Sequence, residues 1–563
     1  MNSYEEQDVS SEKIQISVWK SIIKIVLKKK KSLIIMLIAI GTLGIMDIVN
    51  PLVNQHAIRK FFTNADFTDI NLYIIVYCTI GLFYGVLVWL FIKMASIVEV
   101  EVGYEIRKKA FTKLQELSFS YYDKTPAGWI MARLTSDARK LASILSWGLV
   151  DILWGTVTMI GILIVLFIIN YKLAFIVLAM LPLMFITSWY FRRKILNSYR
   201  NVRKINSKIT AAYNESLLGT KTTKTLVLED TRYNEFDLLC NDMKKKSIRA
   251  MLYSSIFYPL LIIIGYIGVT FVLRIGGGFV INESVSFDVA TLYLFLSFTT
   301  MFFDPISQIA RIISDFQQAQ ASAERIMMLI EQQPDIVDTQ EVIEQYGTIF
   351  EQKRNNWEEI HGDVVFEHVN FYYMKDQPVL IDFNLRVKAG MSVALVGTTG
   401  SGKSTIINLL SRFYEPTSGK ILIDGIDYRK RSLSWLHTKI GYVLQTPHLF
   451  NGSIMENIRY GRLDATDEEV IAASKVVKAD EFIDQFEEGY KTNVGEGGSK
   501  LSLGQRQLLS FARAILANPK ILILDEATSS IDTKTEVLIQ KVTNKLLEGR
   551  TSFIVAQQLL MLI

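Results

Sequence analysis

Residues Gly397 to Ser404 read GTTGSGKS, preceded by SVALV (Ser392 to Val396) and followed by IINLLSRF (Ile406 to Phe413). The eight residues fit G-x-x-x-x-G-K-[ST] between a short apolar strand and a helix-like stretch, the context that makes the pattern informative. Glycines let consecutive backbone N–H groups approach phosphates, and the N-terminus of the following helix adds its dipole. Gly397, Thr398, Thr399, Gly400, Ser401, Gly402, Lys403, Ser404 and Thr405 are therefore the expected cradle, with Lys403 on the outer phosphates and Ser404 on a magnesium ion.

Downstream, ILIL (Ile521 to Leu524) is a fully apolar run of the kind buried in a parallel sheet, and it ends in Asp525 and Glu526. Asp525 can hold a magnesium shell and Glu526 can polarise an attacking water. Val364 to Phe371 and Leu380 to Val387 alternate like strands.

Upstream the composition changes. Half of the 563 residues are hydrophobic and the mean hydropathy is +0.25, with the apolar excess before about residue 310. Six apolar spans are read at Ser32 to Val53, Leu72 to Lys93, Leu149 to Ile169, Leu173 to Phe191, Met251 to Leu273 and Val289 to Ile309. Each has about the 20 residues that cross roughly 30 Å of hydrocarbon. The expected fold is a multi-pass α-helical membrane domain of six spans followed by an α/β P-loop ATPase domain. Boundaries fall at 1–31 for a cytoplasmic amphipathic segment, 32–325 for the spans and their extensions, 326–361 for a linker and 362–563 for the nucleotide domain.

Lys and Arg cluster before the first span, between the second and third, and between the fourth and fifth. That asymmetry places both termini in the cytoplasm. The two basic connections have helix-forming composition, with breaks at Tyr121 to Gly128 and at Glu215 to Lys224, so they read as helical extensions turning at those tips. Residues 14 to 27 form an amphipathic stretch that either lies on the inner membrane surface or leads into the first span. The net charge of +5 is small and no nucleic-acid partner is expected; Cys78 and Cys240, the two cysteines, support neither a disulfide framework nor a metal site.

Asp47, Asn50 and Pro51 interrupt the apolar run of the first span, and Asp304 with Pro305 that of the sixth. A central carboxylate costs about 3 kcal/mol on insertion scales, which several Ile and Leu at roughly 0.5 kcal/mol each offset. Two readings follow for Asp47 and Asp304. They face a water-filled cavity and favour cationic ligands, or each is packed between helices and satisfied by neighbours.

Taken together the motifs resemble the ABC transporter family over nearly the whole chain. LSLGQ (Leu501 to Gln505) looks like its signature, Gln445 in YVLQTPHLF like its Q-loop, Tyr373 in FYY like the aromatic that stacks on adenine, and Ser530 to Asp532 like its D-loop. VGEGG (Val494 to Gly498) is similar to the exporter-type element ahead of the signature. The resemblance implies ATP and Mg2+ as cofactors, with Ser502, Gly504 and Gln505 completing a partner's ATP site and Gln445 and Asp525 near the metal. It also implies a dimer of half-transporters, membrane lipid as solvent, and export of amphipathic, multidrug-type, cationic small molecules across the cytoplasmic membrane. A lipid or peptide exporter half, or a weakly hydrolysing ATP-binding partner, is the alternative; no N-terminal Cys and His pair of the peptidase type precedes the spans, which weighs against a processing peptide exporter.

Two departures matter. Leu503 stands where the family signature has glycine, and beside an intact Glu526 this implies a heterodimer. After TSFIVA the family places a γ-phosphate-contacting histidine, whereas Gln557 and Gln558 stand here. Loss of a preorganised donor costs roughly 2.7 to 4 kcal/mol in the transition state, so impaired turnover is expected unless Gln557 substitutes. The greasy end LLMLI at Ile563 is read as the mark of a truncated or frameshifted gene.

Overall fold

The computed structural model describes residues 16–27, 30–281, 287–398, 400–525 and 533–556. The chain divides into two compact units, one of Met1–Thr112 with Ile130–Glu331 and one of Lys113–Trp129 with Gln332–Ile563.

The first unit is helical. Helix α1 (Ile16–Val26) precedes α2 (Lys30–Ala57) and α3 (Ile70–Glu116); the short α4 (Phe119–Lys124) and α5 (Ala127–Ala132) follow. Then come α6 (Ala138–Ile169), α7 (Tyr171–Leu218), α8 (Thr220–Thr225), α9 (Glu229–Ile281) and α10 (Val289–Glu331). Among the described residues, six helical stretches are long and apolar enough to cross a membrane. At 1.5 Å per residue the 47 residues of α3 run about 70 Å, far beyond the hydrocarbon, so span and extension form one continuous helix. Asn170 makes the tight α6–α7 turn, its side chain accepting from the N–H groups of Lys172 (3.1 Å) and Leu173 (3.2 Å).

Several expectations change. Pro51 and Pro305 lie inside unbroken helices, so the polar positions interrupt composition and not backbone. Helix α10 continues to Glu331, past the boundary expected at 325. Helix α1 does not offer its apolar face to lipid: Trp19, Ile22, Ile25 and Val26 are buried in a cluster with residues of α2, α3, α6 and α10, and Trp19 stacks on Phe316 at 4.3 Å. Within lipid, helices associate by close packing, since leaving water contributes nothing there. Gly161 of α6 shows this closeness, because a Cβ there would stand 2.1 Å from Ile48 Cδ1 of α2. Phe295, Phe298 and Phe302 line one stripe of α10, fully buried against Ile162, Leu166, Leu173 and Val177.

The second unit contains α11 (Gln340–Tyr346) in the segment expected to be a plain linker. Strands β1 (Val364–Met374), β2 (Gln377–Val387), β4 (Ser418–Ile423) and β5 (Ile426–Asp427) form an antiparallel sheet in the order β2-β1-β4-β5. Strands β3 (Ser392–Val396), β6 (Ile440–Val443), β7 (Ile521–Asp525) and β8 (Thr551–Ala556) form a parallel sheet in the order β3-β8-β7-β6. Ile521 to Leu524 are buried on both faces, which is why that strand carries no polar alternation. Around the sheets lie α12 (Lys403–Leu410), α13 (Leu433–Lys439), α14 (Ile454–Arg459), α15 (Asp467–Val476), α16 (Asp480–Ile483), α17 (Leu503–Ala517) and α18 (Thr533–Leu547).

Candidate functional site

The parallel sheet brings together the residues expected to face a nucleotide. Its register aligns Val396 with Ala556, Val555 with Asp525 and Leu524 with Val443. With neighbouring strands about 4.8 Å apart, four chain segments leave one sheet edge within about 14 Å. These are the glycine loop after β3, the segment after β8, the acidic end of β7 and the Gln445 loop after β6. Ligands of open α/β sheets bind at this carboxyl edge. Thr399, Glu526, the Ser530 to Asp532 stretch and Gln557 lie outside the described residues.

In the glycine loop, Gly400 and Gly402 have φ of +87° and +91°, a region that side chains disfavour. Gly402 caps α12, and a Cβ there would approach Leu380 Cδ2 at 3.3 Å. Around the Cβ direction of Gly400 there is open space, which leaves the backbone approachable. The Lys403 ammonium donates to the carbonyls of Gly397 (2.5 Å) and Thr398 (3.0 Å), which holds it over the loop. Ser404 is exposed in the first turn of α12. Loop, dipole and ammonium fit a polyphosphate.

Thr405 is placed differently from the expectation. It is buried, and its hydroxyl pairs with that of Tyr373 at 3.3 Å, so it braces the aromatic from below. Tyr373 itself is 46% exposed near the end of β1. Asp525 ends β7 beside Tyr442, whose phenol is pushed to about 12 by burial and then by the Asp525 charge, so it stays neutral.

The LSLGQ stretch opens α17. Ser502 is the N-cap: its hydroxyl accepts from the Gln505 N–H at 3.2 Å, and Gln505 Oε1 accepts from the Ser502 N–H at 2.9 Å. Leu503 is the first residue of the helix and half-buried, and Gly504 is buried. A helix N-terminus is thus formed and capped with leucine at its tip.

Residues not anticipated from the motifs also belong here. Tyr414, just past α12, sits edge-on to Tyr373 at 5.0 Å and donates to Asp123 of α4 at 2.5 Å. The aromatic pair Phe413–Tyr414 directly after the glycine-loop helix was the available signal.

In the helical unit the two acidic span residues part company. Asp47 accepts from Trp154 Nε1 at 2.7 Å and from the Tyr84 hydroxyl at 3.0 Å, so the packed reading holds for it. Asp304 instead lines a cleft of about 220 Å³ between α7, α9 and α10, with Met184, Tyr258, Tyr266, Thr300 and Phe303. A carboxylate with three aromatic rings is chemistry suited to an organic cation.

Residues 33–306 match the family model of the ABC transporter transmembrane region, and residues 380–529 match the ABC transporter model. The chain is 39% identical to the ABC transporter ATP-binding protein YknV of Bacillus subtilis over 81% of its own length and 74% of that protein's. It is 32% identical to an ATP-dependent lipid A-core flippase of Syntrophus aciditrophicus over 83% of this chain and 75% of the flippase. A fatty acid ABC transporter ATP-binding/permease protein of Mycobacterium tuberculosis is 33% identical, over 84% of this chain and 73% of the transporter.

Proposed function

The chain belongs to the ABC transporter family, as a multi-pass membrane protein that couples ATP hydrolysis to export, and from that premise we propose that its cargo is amphipathic, cationic and small. One observation carries the cargo reading: the Asp304 carboxylate shares its cleft with Tyr258, Tyr266 and Phe303. Such a cleft attracts a delocalised cation through charge and ring quadrupoles together.

The working unit is a dimer of half-transporters in the cytoplasmic membrane, with both termini in the cytoplasm. Lys403, Ser404, Gln445 and Asp525 would hold ATP with Mg2+, Glu526 would polarise water, and the capped α17 N-terminus would serve the partner's nucleotide. Leu503 at that N-terminus favours a partner of different sequence, because a side chain there narrows the approach of a γ-phosphate. Closing of the paired nucleotide domains on ATP favours the outward-facing state by differential binding.

The lipid-handling relatives supply a second reading, export of a lipid. Asp304 discriminates between the two, since it repels a fatty-acid carboxylate. The test is ATP-driven uptake of a fluorescent lipophilic cation into inverted vesicles holding the assembled transporter, against the Glu526→Gln variant. Uptake lost in Glu526→Gln, and reduced at least about tenfold in Asp304→Asn but not in Asp304→Glu, supports the reading. Absence of uptake together with ATP-driven movement of a labelled lipid replaces it.

A further inference from the structure

Helix α7 packs one face against its own bundle and leaves the opposite face uncovered. Met184 and Ser188 are buried, Met184 with Leu261 and Ile264 of α9, and Phe191 lies 5.8 Å from the Phe257 ring. Phe185, Trp189 and Arg193, four apart, run beside Ile186, Tyr190 and Lys194 on the side turned away from that packing. All six are exposed, and none lines the Asp304 cleft.

The order along this face is apolar, aromatic, cationic. The Arg193 guanidinium lies 4.5 Å from the Trp189 ring centroid, and Lys194 Nζ lies 6.0 Å from that of Tyr190. Four helical residues carry each charge about 6 Å beyond its ring, and the headgroup layer flanking the hydrocarbon is about 5 to 8 Å thick. Rings at the hydrocarbon edge therefore put both cations among lipid phosphates. Neither cation has a carboxylate: α7 holds no Asp or Glu before Glu215, and among the described residues no ion pair reaches Arg193 or Lys194. A protein neighbour would have to bring two carboxylates to that depth, where lipid phosphates already stand. Helix α3 repeats the order once, with exposed Leu82, Val86 and Trp89 followed by Lys93, whose Nζ is 4.7 Å from the Trp89 ring. Helix α7 doubles it.

We propose that this face of α7 is a binding site for an anionic phospholipid in the leaflet at the helix's basic end. Arg193 and Lys194 hold the phosphate, Trp189 and Tyr190 flank the glycerol ester region, and Phe185 and Ile186 carry the acyl chains. Two uncompensated cations select a headgroup of net negative charge over a zwitterionic one, whose own ammonium opposes them.

The experiment measures equilibrium binding of acyl-labelled phosphatidylglycerol and phosphatidylcholine to the assembled transporter in neutral detergent. Phosphatidylglycerol binds about tenfold tighter or more, and joint Arg193→Gln and Lys194→Gln lowers its affinity about ten- to thirtyfold while phosphatidylcholine is unchanged. Joint Lys244→Gln and Lys245→Gln, which removes two exposed cations of α9, leaves the preference in place. The charge-preserving pair Arg193→Lys with Lys194→Arg also keeps it, which separates the charges from folding. Inorganic phosphate and deacylated glycerophosphoglycerol compete at least a hundredfold more weakly than the lipid, since they lack the chains that Phe185 and Ile186 receive. An unchanged lipid preference in the glutamine pair at 193 and 194 overturns the proposal, as does loss in the charge-preserving pair or an equal loss in the α9 pair. Competition by free phosphate on a par with the lipid overturns it too. Dissociation of the assembled transporter in the glutamine pair at 193 and 194 assigns the face to a protein partner and likewise overturns it.

Discussion

Arg59 grips Asp288 with two parallel bonds, Nε to Oδ2 at 2.6 Å and Nη2 to Oδ1 at 3.0 Å, across 229 residues of chain. The same carboxylate caps α10, Oδ1 accepting from the Thr291 N–H at 2.9 Å and from its hydroxyl at 2.6 Å. One side chain thus ties the helical turn just past α2 to the start of α10.

The Arg59 guanidinium, with help from Thr291, holds the Asp288 carboxyl well below the usual carboxylate range. A lowered folded-state pKa means that its stabilising contribution is complete above the unfolded value of about 3.9 and is lost as pH falls below it. Thermal unfolding followed from pH 7 down to about pH 3 is expected to show a steeper decline for the wild type than for Asp288→Asn. At neutral pH the substitution costs about 1 kcal/mol, since the ion pair is partly exposed.

Asp47→Ala removes the acceptor of the Trp154 indole and the Tyr84 hydroxyl. A part-buried donor left without a partner costs about 1 kcal/mol, the low end of the range for an unsatisfied group, so the melting temperature falls. Cation uptake per folded transporter is expected to keep its KM, in contrast to Asp304→Asn. A rise in KM for Asp47→Ala would return Asp47 to the cargo site.

Gly402→Ala places a side chain at φ +91°, against Leu380. The left-handed region costs an L-residue about 1 to 2 kcal/mol, and relaxation displaces the N-terminus of α12. Equilibrium binding of a fluorescent ATP analogue should weaken by about tenfold or more. Membrane insertion and detergent extraction should not change.

Gln557→His supplies the donor that the family places after this strand. If the position faces the γ-phosphate, steady-state ATP turnover rises by about ten- to a hundredfold while KM for ATP changes little. Unchanged turnover would indicate that Gln557 already fills the role or that release of product limits the cycle.

Much of the architecture was legible because it rests on local pattern. Twenty apolar residues cannot remain in water, and GTTGSGKS between a strand and a helix has one efficient use, so the six spans and the glycine loop needed no tertiary information. The helical tips at Pro126 and Gly219 followed from backbone stereochemistry of single residues. The amphipathic character of α1 was equally plain, but its apolar stripe reads the same whether lipid or protein covers it, and Phe316 decided for protein.

What depended on the tertiary structure were the long-range adjacencies. Strand order β3-β8-β7-β6 brings Val396 beside Ala556 and Val555 beside Asp525, and no periodicity along the chain encodes an order of parallel strands. Asp47 and Asp304 look alike in composition; packing gave one a Trp and a Tyr as donors and the other a cleft. Asp123 and Tyr414 lie 291 residues apart, and their bond forms because packing sets α4 against the segment just past α12. The sequence by itself determined which segments are apolar, which turn and which cradle phosphate, since those are short-range properties of side chain and backbone. The tertiary structure decided which side chains surround each span carboxylate and which strand ends meet, because both depend on packing between residues whose separation in sequence carries no signal.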